Sequence, residues 1–201
     1  MNETLKRALS GLVYVLIMWN GTFYSELSFH ILFAVILLVC LYEMYKLRKG
    51  KNKILAFLYI LIPLALVYKT NPYIILFMFV LTWTFDTFAY LVGIKFGKHK
   101  IIPTVSPKKS WEGFAGGLIF TIIAAYLTAS YFLEIELNQA IAIGLFLPFT
   151  ASIGDFTESH YKREAGVKDS GNFIPGHGGM LDRMDAFILT IPTLYIYLNL
   201  I

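Results

Sequence analysis

The residues best suited to chemistry lie in one polar stretch, 152–185, near the C-terminal end of the chain. It holds carboxylates, cations and a histidine among glycines: Asp155, Glu158, Asp169, Asp182, Asp185, Lys162, Arg163, Lys168, Arg183, and His177 with Gly176, Gly178 and Gly179. Apolar runs flank the stretch on both sides. Charges of both signs between membrane-type segments are costly to keep, which indicates a functional site.

The chemistry of these groups favours a magnesium–polyphosphate site. Carboxylate oxygens are hard ligands that suit Mg²⁺. Lys and Arg suit phosphate oxygens, and closely spaced glycines let consecutive backbone N–H groups surround an anion. Ser152 and Ser159 lack the partner pattern of a Ser/His/Asp hydrolase, and the set is not that of a zinc site. His177 either hydrogen-bonds phosphate or holds the glycine turn in shape.

The roles of the carboxylates stay open on pattern alone. Asp182 and Asp185 open an apolar run, and an Asp followed three residues later by an acidic residue also caps a helix. Asp155 ends the preceding apolar run and could converge with them. Three carboxylates at one depth repel one another unless a cation lies between them. Glu158 either supports such a cation or pairs with Lys162.

A second region upstream carries further candidates. Asp86 lies within an apolar segment, where a carboxylate indicates function unless it pairs with a cation of another span or caps a broken helix. Lys108 and Lys109 precede a predicted helix that Ser110 caps, and an anion is favoured at such an N-terminus. The Gly113–Gly117 pair forms a G-x-x-x-G motif, which predicts close helix packing.

Together the two regions resemble the phosphatidate cytidylyltransferases, or CDP-diacylglycerol synthases. The first matching run is Ser159, Lys162-Arg163, Lys168-Asp169, Gly171, Pro175, His177-Gly178-Gly179, Asp182-Arg183 and Asp185, with every spacing kept. The second is Asp86-Thr87, Ala89-Tyr90 and Phe96-Gly97-Lys98, followed by Ser106-Pro107-Lys108-Lys109-Ser110-Trp111-Glu112-Gly113. Tyr161 departs from the family pattern, which has an aliphatic residue or Phe there. The N-terminal spans resemble the family only in general character, and we expect spans of the bacterial members to be missing.

The resemblance implies a magnesium-dependent enzyme that transfers CMP from CTP to phosphatidate, giving CDP-diacylglycerol and pyrophosphate, the first committed step of CDP-diacylglycerol phospholipid biosynthesis. The implied metal ligands are Asp155, Asp182 and Asp185; a second, monovalent cation is left open. The implied catalytic residues are those three with Lys162, Arg163, Lys168 and Arg183. The implied substrate-binding residues are Asp86, Ser110, Ser159, His177, Gly178 and Gly179, with Lys108 and Lys109 on either CTP or phosphatidate. The implied partners are CTP, phosphatidate and membrane lipid, without nucleic acid; a homodimer is left open.

Composition predicts an all-α integral membrane protein. Of the 201 residues, 57% are hydrophobic and 15% are charged, and the apolar runs reach the ~20 residues that cross a bilayer. We predict one membrane domain over 1–201, a polytopic transmembrane helical bundle of about seven spans: 8–26, 28–46, 53–68, 72–94, 112–133, 139–156 and 184–201. Residues 1–70 form the N-terminal spans and 72–201 the catalytic half, with motifs at 86–117 and 152–185. We expect the first run to be a retained span and not a signal peptide, and Cys40 to be a packing residue.

Charge placement predicts the orientation. Every Lys and Arg except Lys69 falls in the N-terminal tail or in three of the connections. The positive-inside rule then places the N-terminus and the site in the cytoplasm, at what we expect to be a bacterial inner membrane. Where the second span ends, Tyr42, Tyr45 and Lys46 predict a belt at the membrane interface, and we assign Glu43, one turn from Lys46, to it.

Other functions fit the sequence less well. The nearest alternative is a CTP-dependent enzyme for another lipid, such as a CDP-archaeol synthase or a lipid kinase, because apolar spans carry no code for the lipid chain. A transporter would place carboxylates at bilayer depth in matching half-repeats, whereas all except Asp86 gather at predicted cytoplasmic ends. A lipid-binding scaffold would not need so many carboxylates facing cations.

Overall fold

The computed structural model describes residues 3–131 and 135–200, and its regular secondary structure in these ranges is helical. Seven α-helices lie in these ranges: α1 Glu3–Phe23, α2 Glu26–Leu47, α3 Ile54–Val67, α4 Pro72–Phe96, α5 Trp111–Thr128, α6 Leu137–Glu164 and α7 Leu181–Leu200, with a 3-10 turn, Ala129–Tyr131, after α5. The predicted all-α class is confirmed, and each predicted span overlaps one helix. Parts of the spans predicted at 112–133 and 184–201 lie outside the described residues.

Four of these helices are long and apolar enough to cross a membrane: α2, α4, α5 with its 3-10 turn, and α6. Two shorter apolar segments are Ala8–Phe23 and Ile54–Val67. Leu38, Leu55, Ile94 and Leu127 are among many large apolar side chains exposed on the outside, as expected of a surface that faces lipid. The span count and the orientation of the N-terminus stay predictions.

Helix α6 continues well beyond the predicted end of its span at 156. Polar residues begin there, but Glu158 and Lys162 form an ion pair one turn apart along the helix, which supports helical structure. As a result α6 carries Asp155 and Glu158 on the same side, and α7 opens with Asp182, Arg183 and Asp185.

Glycines allow the helices around the site to approach closely. A Cβ on Gly113 would lie 2.6 Å from the Ala89 carbonyl oxygen on α4, and one on Gly117 would meet Phe85. The close packing predicted from the G-x-x-x-G motif is therefore confirmed between α4 and α5. The predicted cap is confirmed too, because the Ser110 side chain accepts a hydrogen bond from the Gly113 amide at 3.2 Å.

The core is formed by apolar side chains of α2, α3, α4, α6 and α7. Phe33, Ile60, Phe77 and Ile143 are completely buried. Cys40 is buried among them as a free thiol, in agreement with its predicted packing role.

Candidate active site

Three carboxylates from two helices form the centre of the site. Among the described residues, Asp155 and Glu158 of α6 and Asp185 of α7 each present an oxygen within 4.8 Å of the others. The i, i+3 spacing places the two α6 carboxylates on one face of the helix. Gly154 brings the third into reach, because its Cα packs against the backbone carbonyl of Asp185 without room for a side chain.

Two lysines balance part of this negative charge. Lys109, just ahead of α5, forms an ion pair with Asp155. Lys162 forms an ion pair with Glu158 and donates to Asp182 Oδ1 at 2.7 Å. The Glu158 side chain is fully buried, and its second oxygen, Oε1, accepts no hydrogen bond from the described residues. A buried carboxylate oxygen without a hydrogen-bond partner is costly, and this oxygen is therefore a candidate ligand for a cation.

These donors fit magnesium. The ion prefers a small number of carboxylate oxygens and keeps part of its water shell. The cluster offers three carboxylates, one with an unpartnered oxygen, and part of the Asp155 side chain is accessible from outside. A divalent cation would also remove the repulsion among the three charges.

Asp182, which was predicted to be a metal ligand together with Asp155 and Asp185, lies beside this group. Its Oδ2 accepts hydrogen bonds from the amides of Ser170 at 2.9 Å and Gly179 at 2.7 Å, and from the Ser170 hydroxyl at 3.0 Å. Its Oδ1 takes Lys162. Capping and metal ligation share one sequence pattern, but the amides that Asp182 accepts belong to the segment before α7, and Glu158 takes the third place in the cluster.

Residues 165–180 connect α6 to α7 and are called the site loop below. Gly176 and Gly178 have positive φ, 79° and 87°, a backbone conformation that glycine adopts at little cost. Arg183 donates through Nε and Nη2 to the His177 carbonyl at 3.2 and 2.8 Å. The Ser10 hydroxyl of α1 lies 2.9 Å from His177 Nδ1. The loop is thus held from two sides.

Three cavities adjoin the site and share lining residues. The α4–α5 cavity, about 610 Å³, is lined by apolar side chains such as Phe85, Tyr90 and Phe114 together with Asp86, Lys108, Lys109 and Ser110. The loop cavity, about 690 Å³, is lined by Lys168, Asp169, His177, Gly178 and Arg183. The inner cavity, about 240 Å³, contains Asp185 and Asp182. It shares Asp86 with the first cavity, and His177 and Arg183 with the second.

Some predicted residues point elsewhere. Arg163 is exposed and donates to the Val167 carbonyl at 2.8 Å, closing the end of α6. Ser159 is buried on α6. Ser110 borders the α4–α5 cavity, but its oxygen already serves the helix cap. The Gly179 amide donates to Asp182, so it does not contribute to the glycine nest that was predicted for phosphate.

Two residues that position the site were not found from the sequence. Glu43 was assigned to the interface belt, but it is 4% exposed and contacts the site loop; that assignment is wrong. Tyr42 and Tyr45 are exposed, with Lys46 and Lys53 over their rings, as the belt requires. An acidic residue inside an apolar helix was the available signal for Glu43. Ser10 carried no comparable signal.

Comparison with known proteins agrees with this geometry. Residues 54–201 match the profile of the cytidylyltransferase family. The chain belongs to this family. The resemblance seen in the motifs is thereby confirmed, and it extends further toward the N-terminus than those motifs do. Ser10 and Glu43 lie outside the matched residues.

Several similar proteins carry the name phosphatidate cytidylyltransferase. The one from Staphylococcus aureus is 47% identical over 126 residues, which are 62% of this chain and 48% of that protein. Those from Mycobacterium bovis and Mycobacterium tuberculosis are 42% identical over 116 residues, 58% of this chain and 38% and 35% of theirs. The chain spans about half the length of these relatives or less.

Proposed function

We propose that this chain transfers CMP from CTP to phosphatidate, giving CDP-diacylglycerol and pyrophosphate. The proposal is based on the position of the cluster of three carboxylates, which lies beside one largely apolar cavity and one polar cavity. One cavity lies between apolar helices and has lysines at its edge; another lies in a polar loop with Lys168, His177 and Arg183. The inner cavity, with Asp185, shares residues with both. A lipid and a nucleotide need two such places that meet at one reacting centre.

The lipid phosphate fits the α4–α5 cavity. Phe85, Tyr90 and Phe114 suit an acyl chain, and Lys108 and Lys109 suit a phosphate beside the N-terminus of α5. The sequence left open whether these lysines contact CTP or lipid, and the apolar lining favours the lipid. The triphosphate of CTP fits the loop cavity, where Lys168 and Arg183 supply positive charge.

The reaction is an in-line displacement at phosphorus. An oxygen of the lipid phosphate attacks the α-phosphorus of CTP, the new P–O bond forms, and the bond to the β-phosphate breaks as pyrophosphate leaves. The attacking oxygen is already anionic, so no side chain needs to remove a proton. Lysines and arginines hold the two phosphates in line and stabilise charge that builds on the leaving group.

Magnesium would be held by Asp155, Glu158 and Asp185. When bound, the ion would neutralise triphosphate oxygens and draw them toward the cluster. Lys109 pairs with Asp155 in this structure and also borders the α4–α5 cavity, where its ammonium group would bind the lipid phosphate. Asp182 would hold Lys162 and the site loop. The ligand set Asp155, Asp182 and Asp185, implied by the family resemblance, is the competing assignment.

The membrane location supports the same reaction. The helices that are long and apolar enough to cross a bilayer give direct access to a lipid substrate. We retain the prediction that the membrane is a bacterial inner membrane and that the site faces the cytoplasm, where CTP is made; the placement of Lys and Arg supports it. A homodimer and a monovalent cation remain predictions to be tested on the purified protein.

The test is pyrophosphate release by the detergent-solubilised protein with CTP and Mg²⁺, with and without phosphatidate. We expect release that requires phosphatidate and stops with EDTA. Activity only with an ether-linked isoprenoid phosphate, or CDP formation from a lipid alcohol, would move the chain to a related lipid reaction. No turnover with any lipid, in a folded sample that binds CTP, would overturn the assignment as an enzyme.

A further inference from the structure

Glu43 connects α2 to the site, although it lies outside the residues that match the family profile. We propose that Glu43 is a positioning residue that fixes the site loop and the start of α7 for nucleotide transfer. The inference rests on the proposed function for its effect on catalysis, but not for its effect on the loop.

The contacts of Glu43 all go to the segment that supplies the site. Its Oε1 accepts the Met180 amide at 3.0 Å, and its Oε2 accepts the Leu181 amide at 2.8 Å. The Ser170 hydroxyl lies 2.8 Å from the same Oε2. These two amides are at the N-terminus of α7, where the helix dipole favours a negative charge. Glu43 therefore caps α7 from another helix.

Two glycines of the site loop make room for this carboxylate. A Cβ on Gly171 would lie 2.5 Å from Glu43 Oε1, and one on Gly179 would lie 2.6 Å from the same atom. Both distances are too short for a real contact. Gly179, which the sequence assigned to phosphate, therefore serves to admit Glu43, and so does Gly171.

A chain of polar contacts links Glu43 to the carboxylate cluster. The Ser170 hydroxyl lies between Glu43 Oε2 and Asp182 Oδ2, at 2.8 and 3.0 Å. Asp182 holds Lys162, which pairs with Glu158. Because each of these side chains is positioned by its neighbour, loss of the Glu43 carboxylate should make Asp182 more mobile. Lys162 would then be held less firmly beside Glu158.

The contact also determines where the nucleotide can bind. A helix N-terminus commonly accepts a phosphate, but Glu43 already occupies that of α7. The triphosphate must then use the loop cavity, with Lys168 and Arg183. Displacing Glu43 should therefore impair CTP more than phosphatidate, whose cavity lies between α4 and α5.

The experiment compares Glu43→Gln with Glu26→Gln, a change at the exposed first turn of the same helix. Hydrogen exchange followed by mass spectrometry measures the amides of the site loop, and initial rates measure KM for each substrate. For Glu43→Gln we expect about ten-fold faster exchange at residues 180 and 181, a KM for CTP raised about ten-fold, and an unchanged KM for phosphatidate. Glu26→Gln should match wild type.

Ser170→Ala provides a second variant if Glu43→Gln fails to fold, since it removes the bridging hydroxyl and keeps the backbone amide. It should raise the KM for CTP by a smaller factor. Wild-type exchange at 180 and 181 in Glu43→Gln would overturn the positioning role, and so would an equal rise of both KM values in either variant. If wild type itself turns over no CTP, the proposed function fails, whereas the exchange rates still decide whether Glu43 holds the loop.

Discussion

Gly154 on α6 packs directly against the backbone carbonyl of Asp185 on α7, with no room for a Cβ between them. The contact allows the carboxylates of Asp155 and Asp185 to meet, because each adjoins the point of closest approach. The Tyr59 hydroxyl of α3 donates to the Gly154 carbonyl at 3.1 Å and holds the same turn of α6 from behind. The separation of α6 and α7 therefore sets the geometry of the proposed metal site.

Substituting Gly154 by alanine should separate the two helices. In an ordinary helix this change is stabilising by about 1 kcal/mol, but here the new methyl group would collide with the Asp185 carbonyl. We expect a lower Tm and a loss of pyrophosphate release of about 10² or more, because the carboxylates no longer share an ion. Ile153→Ala, at the exposed neighbouring position, should change activity little. Wild-type activity in Gly154→Ala would show that the approach is not needed.

Magnesium titrations should distinguish the two possible third ligands. If Glu158 holds the ion, Glu158→Gln should raise the Mg²⁺ concentration for half-maximal activity about ten-fold or more, since the amide is neutral and a weaker ligand. Asp182→Asn should lower kcat through Lys162 and the site loop, with little change in the Mg²⁺ requirement. Asp185→Asn should both lower kcat and raise the Mg²⁺ concentration for half-maximal activity, and Glu26→Gln should behave as wild type.

The opposite pattern would support the ligand set implied by the family resemblance. In that case Asp182→Asn would shift the Mg²⁺ requirement strongly and Glu158→Gln would not. Direct Mn²⁺ binding, measured by electron paramagnetic resonance without substrates, would check the result independently of turnover. Loss of Mn²⁺ binding in Asp182→Asn alone would contradict the cluster described here.

The sequence predicted the helices and the residue types of the site well, because both depend on local pattern. Each described α-helix coincides with a predicted apolar run. The spacing of Ser110 predicted the cap of α5, and the spacing of Gly113 and Gly117 predicted its close packing against α4. Asp155 and Asp185 were expected to converge, and they do. The predicted span ended at 156, where the apolar run ends, although the i, i+4 spacing of Glu158 and Lys162 also favours a helix there.

Contacts between distant parts of the chain could not be predicted in the same way. Glu43 contacts Met180 and Leu181 across most of the sequence, and no short motif records such a pair. Asp182 has the same pattern whether it caps α7 or binds metal, so spacing alone could not decide. Arg163 looked like Lys162 in the motif, but the two point to different sides of α6 and have different partners.

Lys109 should matter for both the lipid and the ion. It forms an ion pair with Asp155 and borders the α4–α5 cavity. Lys109→Gln should raise the KM for phosphatidate and lower kcat/KM by about 10²–10³. It should also lower the Mg²⁺ concentration for half-maximal activity, because a cation that competes for Asp155 is gone. Lys95→Gln, on α4 beside Phe96, is the matched control. An unchanged KM for phosphatidate would contradict the lipid assignment of this cavity.

Arg183 should act through both its shape and its charge, and two variants can separate them. Its Nε and Nη2 both donate to the His177 carbonyl while the side chain borders the loop cavity. Arg183→Lys keeps the charge but cannot donate two hydrogen bonds to the His177 carbonyl. The site loop should therefore become more mobile, and the KM for CTP should rise about ten-fold. Arg183→Ala removes both and should cost about 10²–10³ in kcat/KM. Arg48→Lys, at the ion pair with Glu164, controls for the exchange of side chain. Equal losses of kcat/KM in the two Arg183 variants would show that the two hydrogen bonds to His177, and not the charge, account for the effect. An unchanged KM for CTP in Arg183→Lys would show that the charge alone is needed.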